Sequence, residues 1–461
     1  MKKYLFFADI FILCFIAVNA QNTAMQRAGS LGKGLNATNW LSHIHNPNGF
    51  SYQEYTEQDF AQIAQLGFDH IRLPVGLHYW TSHTSPYQTD TLILQYVDTA
   101  LIWARKYHLK IILDYHNFIE SLWQDSLVKH TDRLCAIWKT MAQRYATQNH
   151  DSVFYELYNE PGEVDKASWT YAAKRMIDTI RQYDPDRTII VWLHQSDPVN
   201  PASFNDTNLI YTFHYYFPPE FTHQGSTWQS GGVRHTINIP FPYNPASMPP
   251  IDPGDIGTVH EAEYYAYPQT GRTDSVLHLL NQAGIFAQSY HVPLYCGEYG
   301  ATVYAPVDSR IFWTDLVSKK LDSMNISRAH WGWRTGFFRL FNCAHCADMD
   351  SIYTDSAGYS ILCALQVDSC NTTGLNKQTP AYRNLLHIFP NPAHANLNIE
   401  ISAGQQADYL WLINAMGIPI LQLSALPTET IHIDLSAYPV GIYFIKIKYK
   451  EQILQKAFLK L

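Results

Sequence analysis

Between about residues 30 and 370, short apolar runs rich in β-branched and aromatic residues alternate with stretches whose apolar side chains recur every three to four positions. No other feature of the chain limits its fold as strongly. Eight runs read as strands: 32–36, 70–75, 110–116, 153–159, 188–193, 209–214, 292–298 and 327–333. Helical patterns lie between most of them, at 57–66, 89–107, 131–147, 166–183, 275–289 and 310–324. The runs do not alternate polar with apolar, so each strand is covered on both faces, as in a parallel sheet. Eight such units predict an α/β fold, a (β/α)8 TIM barrel, with the mouth formed by the C-terminal strand ends.

The flanks read differently. Lys2 and Lys3, an apolar stretch from Leu5 to Val18 broken by Asp9, and Val18-Asn19-Ala20 predict a secretory signal over residues 1–20. The barrel domain is assigned to 21–370 and a polar linker to 371–386. Residues 387–461 carry period-two runs separated by turn signals, which predict a small all-β sandwich domain. A Pro-, Gly- and Tyr-rich excursion at 217–272 interrupts the barrel rhythm after the sixth strand, where a long loop is expected to shape a cleft. Cys135 and Cys296 read as isolated small hydrophobes. Cys343, Cys346, Cys363 and Cys370 cluster, and in an exported chain disulfides are expected there rather than zinc. A net charge of −8 with no basic block argues against nucleic acid and suits a neutral substrate.

Two glutamates sit at strand ends: Glu160 in Tyr158-Asn159-Glu160-Pro161, and Glu298 in Cys296-Gly297-Glu298-Tyr299. If these close strands four and seven, both carboxylates face one bowl, which is the minimum apparatus for cutting a glycosidic bond. Arg72, within an otherwise apolar strand, must find an anion, and with Tyr216 it can hold the charge of Glu298. That makes Glu298 the nucleophile candidate and Glu160, beside Asn159, the acid. Glu156 shares strand phase with Glu160 but lies deeper and reads as structural, and Asp114, within its strand, reads as a buried hydrogen-bond acceptor.

These pieces together resemble glycoside hydrolase family 5, the cellulase family. The matching motifs run through residues 34–334: Gly34-Leu35-Asn36-Ala37-Thr38-Asn39-Trp40, Arg72, Asp114-Tyr115-His116-Asn117, Asn159-Glu160, His214-Tyr215-Tyr216, Glu298 and His330-Trp331-Gly332-Trp333. The resemblance implies Glu160 as acid/base, Glu298 as nucleophile, and Arg72, His116, Asn159, His214, Tyr216 and Trp331 as substrate-binding residues, with no metal or cofactor. Asn117 departs from the family pattern, which often has a second His there, and Trp333 competes with Trp331 for the stacking role. The segment 217–228, ending at Trp228, resembles the loop after strand six in some bacterial members. The tail, with Ile388-Phe389-Pro390-Asn391-Pro392 and Gly441-Ile442-Tyr443-Phe444, resembles the sorting domain of the type IX secretion system. That implies a Bacteroidetes-type bacterium, the secretion machinery as partner, and a secreted or surface location.

The expected activity is retaining endo-hydrolysis of a β-1,4-glucan by a monomer. Mannan, xyloglucan and β-1,3-glucan are alternative substrates. Rivals of other kinds are a metal-dependent barrel hydrolase using His43 and His45 with His116 and His214, and a non-catalytic glycan-binding protein.

Overall fold

A computed structural model describes residues 23–42, 55–117, 125–162, 164–194, 198–226, 234–334, 336–342, 351–367, 386–401, 408–414, 419–424, 430–449 and 452–461. The expected signal at 1–20, His43, His45, Trp228, Cys343, Cys346, Cys370 and the linker up to residue 385 lie outside these. The chain divides into two compact units, 1–368 and 369–461.

The first unit is a closed barrel of eight strands in sequence order, and all of them pair in parallel. They are β1 Lys33–Asn36, β2 His70–Val75, β3 Lys110–Tyr115, β4 Val153–Glu156, β5 Ile189–Trp192, β6 Leu209–Tyr215, β7 Leu294–Tyr299 and β8 Ser327–His330. Each run read from the sequence appears, with its ends shifted by a few residues at most. Both faces of the strands are buried, since one lines the barrel and the other meets the helices.

A first helix, α1 (residues 23–31), was not predicted. Its Ala28 and Leu31 pack with Ile112, Phe154, Ile190, Ile210, Tyr295 and Ala329, the inner side chains of β3 to β8, and close that end of the barrel with an apolar layer. The outer helices include α2 Glu57–Gln65, α3 Thr91–Lys106, α4 Asp125–Tyr145 and α5 Lys166–Tyr183. They start where the sequence supplies caps. Asp90 accepts from the Leu92 amide, and Asp165 from those of Ala167 and Ser168. Helix α5 then buries Trp169, Ala172, Ala173, Met176, Ile177 and Ile180, one stripe at three- to four-residue steps.

The excursion after β6 contains helices α6 Pro219–Thr222 and α7 Val259–Thr270, followed by α8 Thr273–Tyr290. The sequence hides α7 because Pro268 lies inside it and only His260 and Tyr267 are buried. Helix α9 Val307–Ser323 precedes β8, and a last turn, α10 Ile361–Ala364, carries Cys363, which is disulfide-bonded. Cys135 and Cys296 are buried and free. None of the described helices is long and apolar enough to cross a membrane.

The second unit is all β. One sheet has three antiparallel strands, ordered Ile431–Asp434, Asn396–Ile401, Leu386–Phe389. The other has four, ordered Pro419–Ser424, Tyr409–Asn414, Gly441–Tyr449, Gln452–Lys460. Alternate residues such as Leu397, Ile399, Leu410, Leu412, Ile431, Ile433, Ile445 and Ile447 form its core.

Candidate active site

Arg72 organises the mouth of the barrel. It points inward from β2 and is fully buried. Its Nε and Nη2 donate to both oxygens of Glu156 on β4, at 2.7 and 2.9 Å. Nη1 donates to Asn36 Oδ1 (2.9 Å) and Glu298 Oε1 (2.7 Å). Nη2 also reaches Asn159 Oδ1 (2.9 Å) and Asp114 Oδ2 (3.0 Å). An arginine in an apolar strand thus gathers groups from four other strands. Burial works against its charge, but Asp114, Glu156 and Glu298 outweigh that and hold its pKa well above the usual value. One guanidinium cannot balance three buried carboxylates. Burial pushes Asp114 up to about 7 against the pull of Arg72, and raises Glu156 for the same reason, so the cluster readily keeps a proton.

Glu298 owes its place to an irregularity. Tyr295 faces the barrel interior, and strict alternation would then turn Gly297 inward and Glu298 out. The register slips on both sides of β7, against β6 between Phe213 and His214 and against β8 between Cys296 and Tyr299. The extra residue turns Glu298 inward as well. Its side chain is only 7% exposed. Arg72 holds one oxygen, and the Tyr216 hydroxyl donates to the other at 2.9 Å. Burial and the facing glutamate keep the Tyr216 phenol protonated, so it remains a donor. Behind it, the rings of His223 (4.8 Å) and Phe338 (5.7 Å) fix its position.

Glu160 stands opposite. Regular pairing of β4 stops at Glu156, but the Asn159 amide still donates to Tyr115 O, and Glu160 follows with φ at 38°. That left-handed backbone is uncommon for a residue with a side chain, and local strain of this kind gathers at functional sites. It leaves the side chain 48% exposed at the opening. Burial of its surroundings raises its pKa, against the pull of His116 and Arg72. His214 Nδ1 lies 2.5 Å from Glu160 Oε1 and 3.5 Å from Glu298 Oε2. Burial pushes this imidazole down to about 4, so at neutral pH it is uncharged between the two glutamates. Trp192 packs edge-on against it at 4.8 Å.

The remaining predicted residues occupy the same bowl. His116 Nδ1 is 2.6 Å from Asp114 Oδ2, and its ring stacks on Trp331 at 5.7 Å and 16°. Trp331 is partly exposed. Trp333 is fully buried, and its indole N–H donates to Asp59 at 3.0 Å, so of the two tryptophans only Trp331 can offer a face to the opening. Asn117, where the family pattern often has His, donates to the Tyr158 hydroxyl at 3.2 Å. Glu160, Glu298, Arg72, His116, Asn159, His214, Tyr216 and Trp331 therefore lie in one connected cluster. Sequence reasoning assigned no role to Asn36, although it ends the first matching strand. It also left His223 and Phe338 unassigned; Phe338 sits in a loop with no pattern to mark it. One carboxylate or imidazole atom from each of Glu160, His214 and Glu298 lies within 4.8 Å of the other two.

Residues 32–336 match the family described as cellulase (glycosyl hydrolase family 5), and residues 387–460 match a secretion system C-terminal sorting domain. Endoglucanase 3 of Fibrobacter succinogenes is 32% identical over 339 residues, 68% of this chain and 51% of that protein. The chain thus spans about half of that relative's length. Endoglucanase C of Acetivibrio thermocellus is 26% identical over 331 residues, 68% of this chain and 94% of that protein. Among solved structures, endoglucanase Cel5A from the hyperthermophilic Thermotoga maritima has the same fold, with a TM-score of 0.59 at 24% identity over 74% of this chain and 99% of that one. The same enzyme in complex with mannotriose gives 0.60 at 23% identity, with the same coverage.

Proposed function

Because the chain belongs to glycosyl hydrolase family 5, we propose that it is an exported, retaining endo-β-1,4-glucanase that works as a monomer without a cofactor. The observation carrying this reading is the distance between the glutamates. One carboxylate oxygen of each lies within 4.8 Å of the other. Retaining glycosidases hold their carboxyl groups roughly 5–5.5 Å apart, and inverting ones about 6.5–9.5 Å apart to admit a water.

Glu298, oriented by Arg72 and Tyr216, attacks the anomeric carbon while Glu160 protonates the departing oxygen. The difference in exposure supports this division: the nucleophile is enclosed, and the acid sits at the opening where the leaving sugar departs. Once Glu298 is bound to the sugar its charge is gone, and Glu160 has less reason to hold a proton. Glu160 then takes one from the water that releases the product. His116 and Trp331 line the site of the cleaved sugar, and Asn159 and His214 hold its hydroxyl groups. The sorting domain at 387–460 supports export by the type IX secretion system, and hence a secreted or cell-surface location.

A β-1,4-glucan is favoured by the endoglucanases among the relatives. A mannan is the second reading, since Thermotoga maritima Cel5A has been crystallised with mannotriose as well as cellobiose. The test is a hydrolysis screen over carboxymethylcellulose, glucomannan, xyloglucan and laminarin, with proton NMR of the first product. The expected result is β-anomer released first from a glucan, unaffected by EDTA, and abolished in Glu160→Gln and Glu298→Gln. An α-anomer appearing first would refute the retaining mechanism. Undiminished hydrolysis by both glutamine variants would refute the site.

A further inference from the structure

Resting on that reading, we propose that Asp114 is a positioning residue that joins the sugar platform to the nucleophile's arginine. The side chains form an unbroken path. Trp331 stacks on His116, His116 Nδ1 meets Asp114 Oδ2 at 2.6 Å, the same oxygen lies 3.0 Å from Arg72 Nη2, and Arg72 Nη1 holds Glu298 at 2.7 Å. Asp114, His116 and Arg72 are all buried. Asp114 touches neither Glu298 nor the opening, so it acts through its two neighbours.

The shared oxygen also assigns a proton. A guanidinium only donates, and its charge disfavours a proton on the oxygen it faces. His116 Nδ1 must therefore carry an N–H, which it donates to Asp114 Oδ2. The ring is held in one plane with Nδ1 as its donor, and Trp331 stacks on that plane. An isosteric amide can do the same work: with its Oδ1 in the place of the shared oxygen it accepts from both donors. Alanine cannot, and it leaves a buried imidazole N–H without an acceptor.

This yields an experiment on the full chain. In Asp114→Ala, kcat/KM on soluble glucan should fall about 10- to 100-fold, the cost of one unsatisfied buried donor. In Asp114→Asn, whose carbonyl still accepts from both donors, the loss should be clearly smaller than in Asp114→Ala. In a His116→Ala background, Asp114→Ala should cost less than about threefold more, because the two residues act as a unit. Nitrogen-15 NMR should find His116 protonated at Nδ1 in the wild type and in Asp114→Asn, and a tautomer mixture in Asp114→Ala. The proposal is overturned if the losses from Asp114→Ala and His116→Ala simply multiply, if Asp114→Asn is as damaged as Asp114→Ala, or if wild-type His116 has no proton on Nδ1. The NMR result stands whether or not a glucan is cleaved, so it separates failure of this inference from failure of the glucanase reading.

Discussion

Gly297→Ala is the sharpest test of how the nucleophile is placed. A Cβ at this position would stand 2.8 Å from Thr212 Oγ1 and 3.0 Å from His214 Nε2. Ordinary contact begins near 3.4 Å, so some group must yield by about 0.6 Å in a close-packed interior. The flanking groups have little room: Thr212 is fully buried, and His214 is tied to Glu160 at 2.5 Å. Moving the backbone instead shifts the bulge that turns Glu298 inward. A shift of His214 or of the backbone displaces one of the two glutamates. A misplacement approaching 1 Å costs about 100-fold in rate, so kcat should fall roughly 10- to 100-fold while KM changes less. Overpacking should lower stability by about 1–3 kcal/mol, leaving the protein folded at 25 °C. The assay is steady-state hydrolysis of a soluble β-glucan beside thermal melting of the same samples. Gly297→Ala/Thr212→Ala removes the nearer clash and should recover part of the rate. A Gly297→Ala enzyme within threefold of wild type in kcat would refute the claim that the bulge must be bare to set Glu298.

The two tryptophans after β8 should separate cleanly. Trp331→Ala should lower kcat/KM about 10-fold or more with little change in melting temperature, as expected for a lost stacking face. Trp333→Ala should instead lose about 3–5 kcal/mol of stability, and equal melting temperatures for the two variants would contradict the assignment. The pH dependence follows from the raised pKa of Glu160. The acid works protonated, and a raised pKa keeps it protonated to higher pH. The alkaline fall of kcat/KM should therefore lie above the ordinary glutamate range, with activity lost as pH rises through it. In Glu160→Ala, assayed on an aryl glycoside whose leaving group needs no proton, that limb should vanish. Its persistence would assign the limb to another group.

What could be read from the sequence, and what could not, divides along a physical line. Patterns that come from burial were legible. The eight strands announced themselves because both faces of each are covered, and Arg72 did because a cation among apolar neighbours needs an anion nearby. Glu160 and Glu298 were placed at strand ends by the same logic. Features that depend on the path of the backbone were not legible. Nothing in Cys296-Gly297-Glu298 states that the register slips, yet without the slip alternation would send Glu298 out among the helices. Trp331 and Trp333 share strand phase, so periodicity could not choose between them; the chain leaves β8 at His330, and Trp333 drops into the core against Asp59. Glu156 was read as structural and Asp114 as a buried acceptor, but their convergence on one guanidinium joins strands β2, β3 and β4 and is a property of barrel closure. Helix α1 shows the same limit. It is short and weakly patterned, and it exists because the open end of the barrel presents an apolar layer that something must cover. A substitution that breaks a burial pattern should therefore act first on stability. One that alters the backbone path at Gly297 or Glu160 should act first on rate.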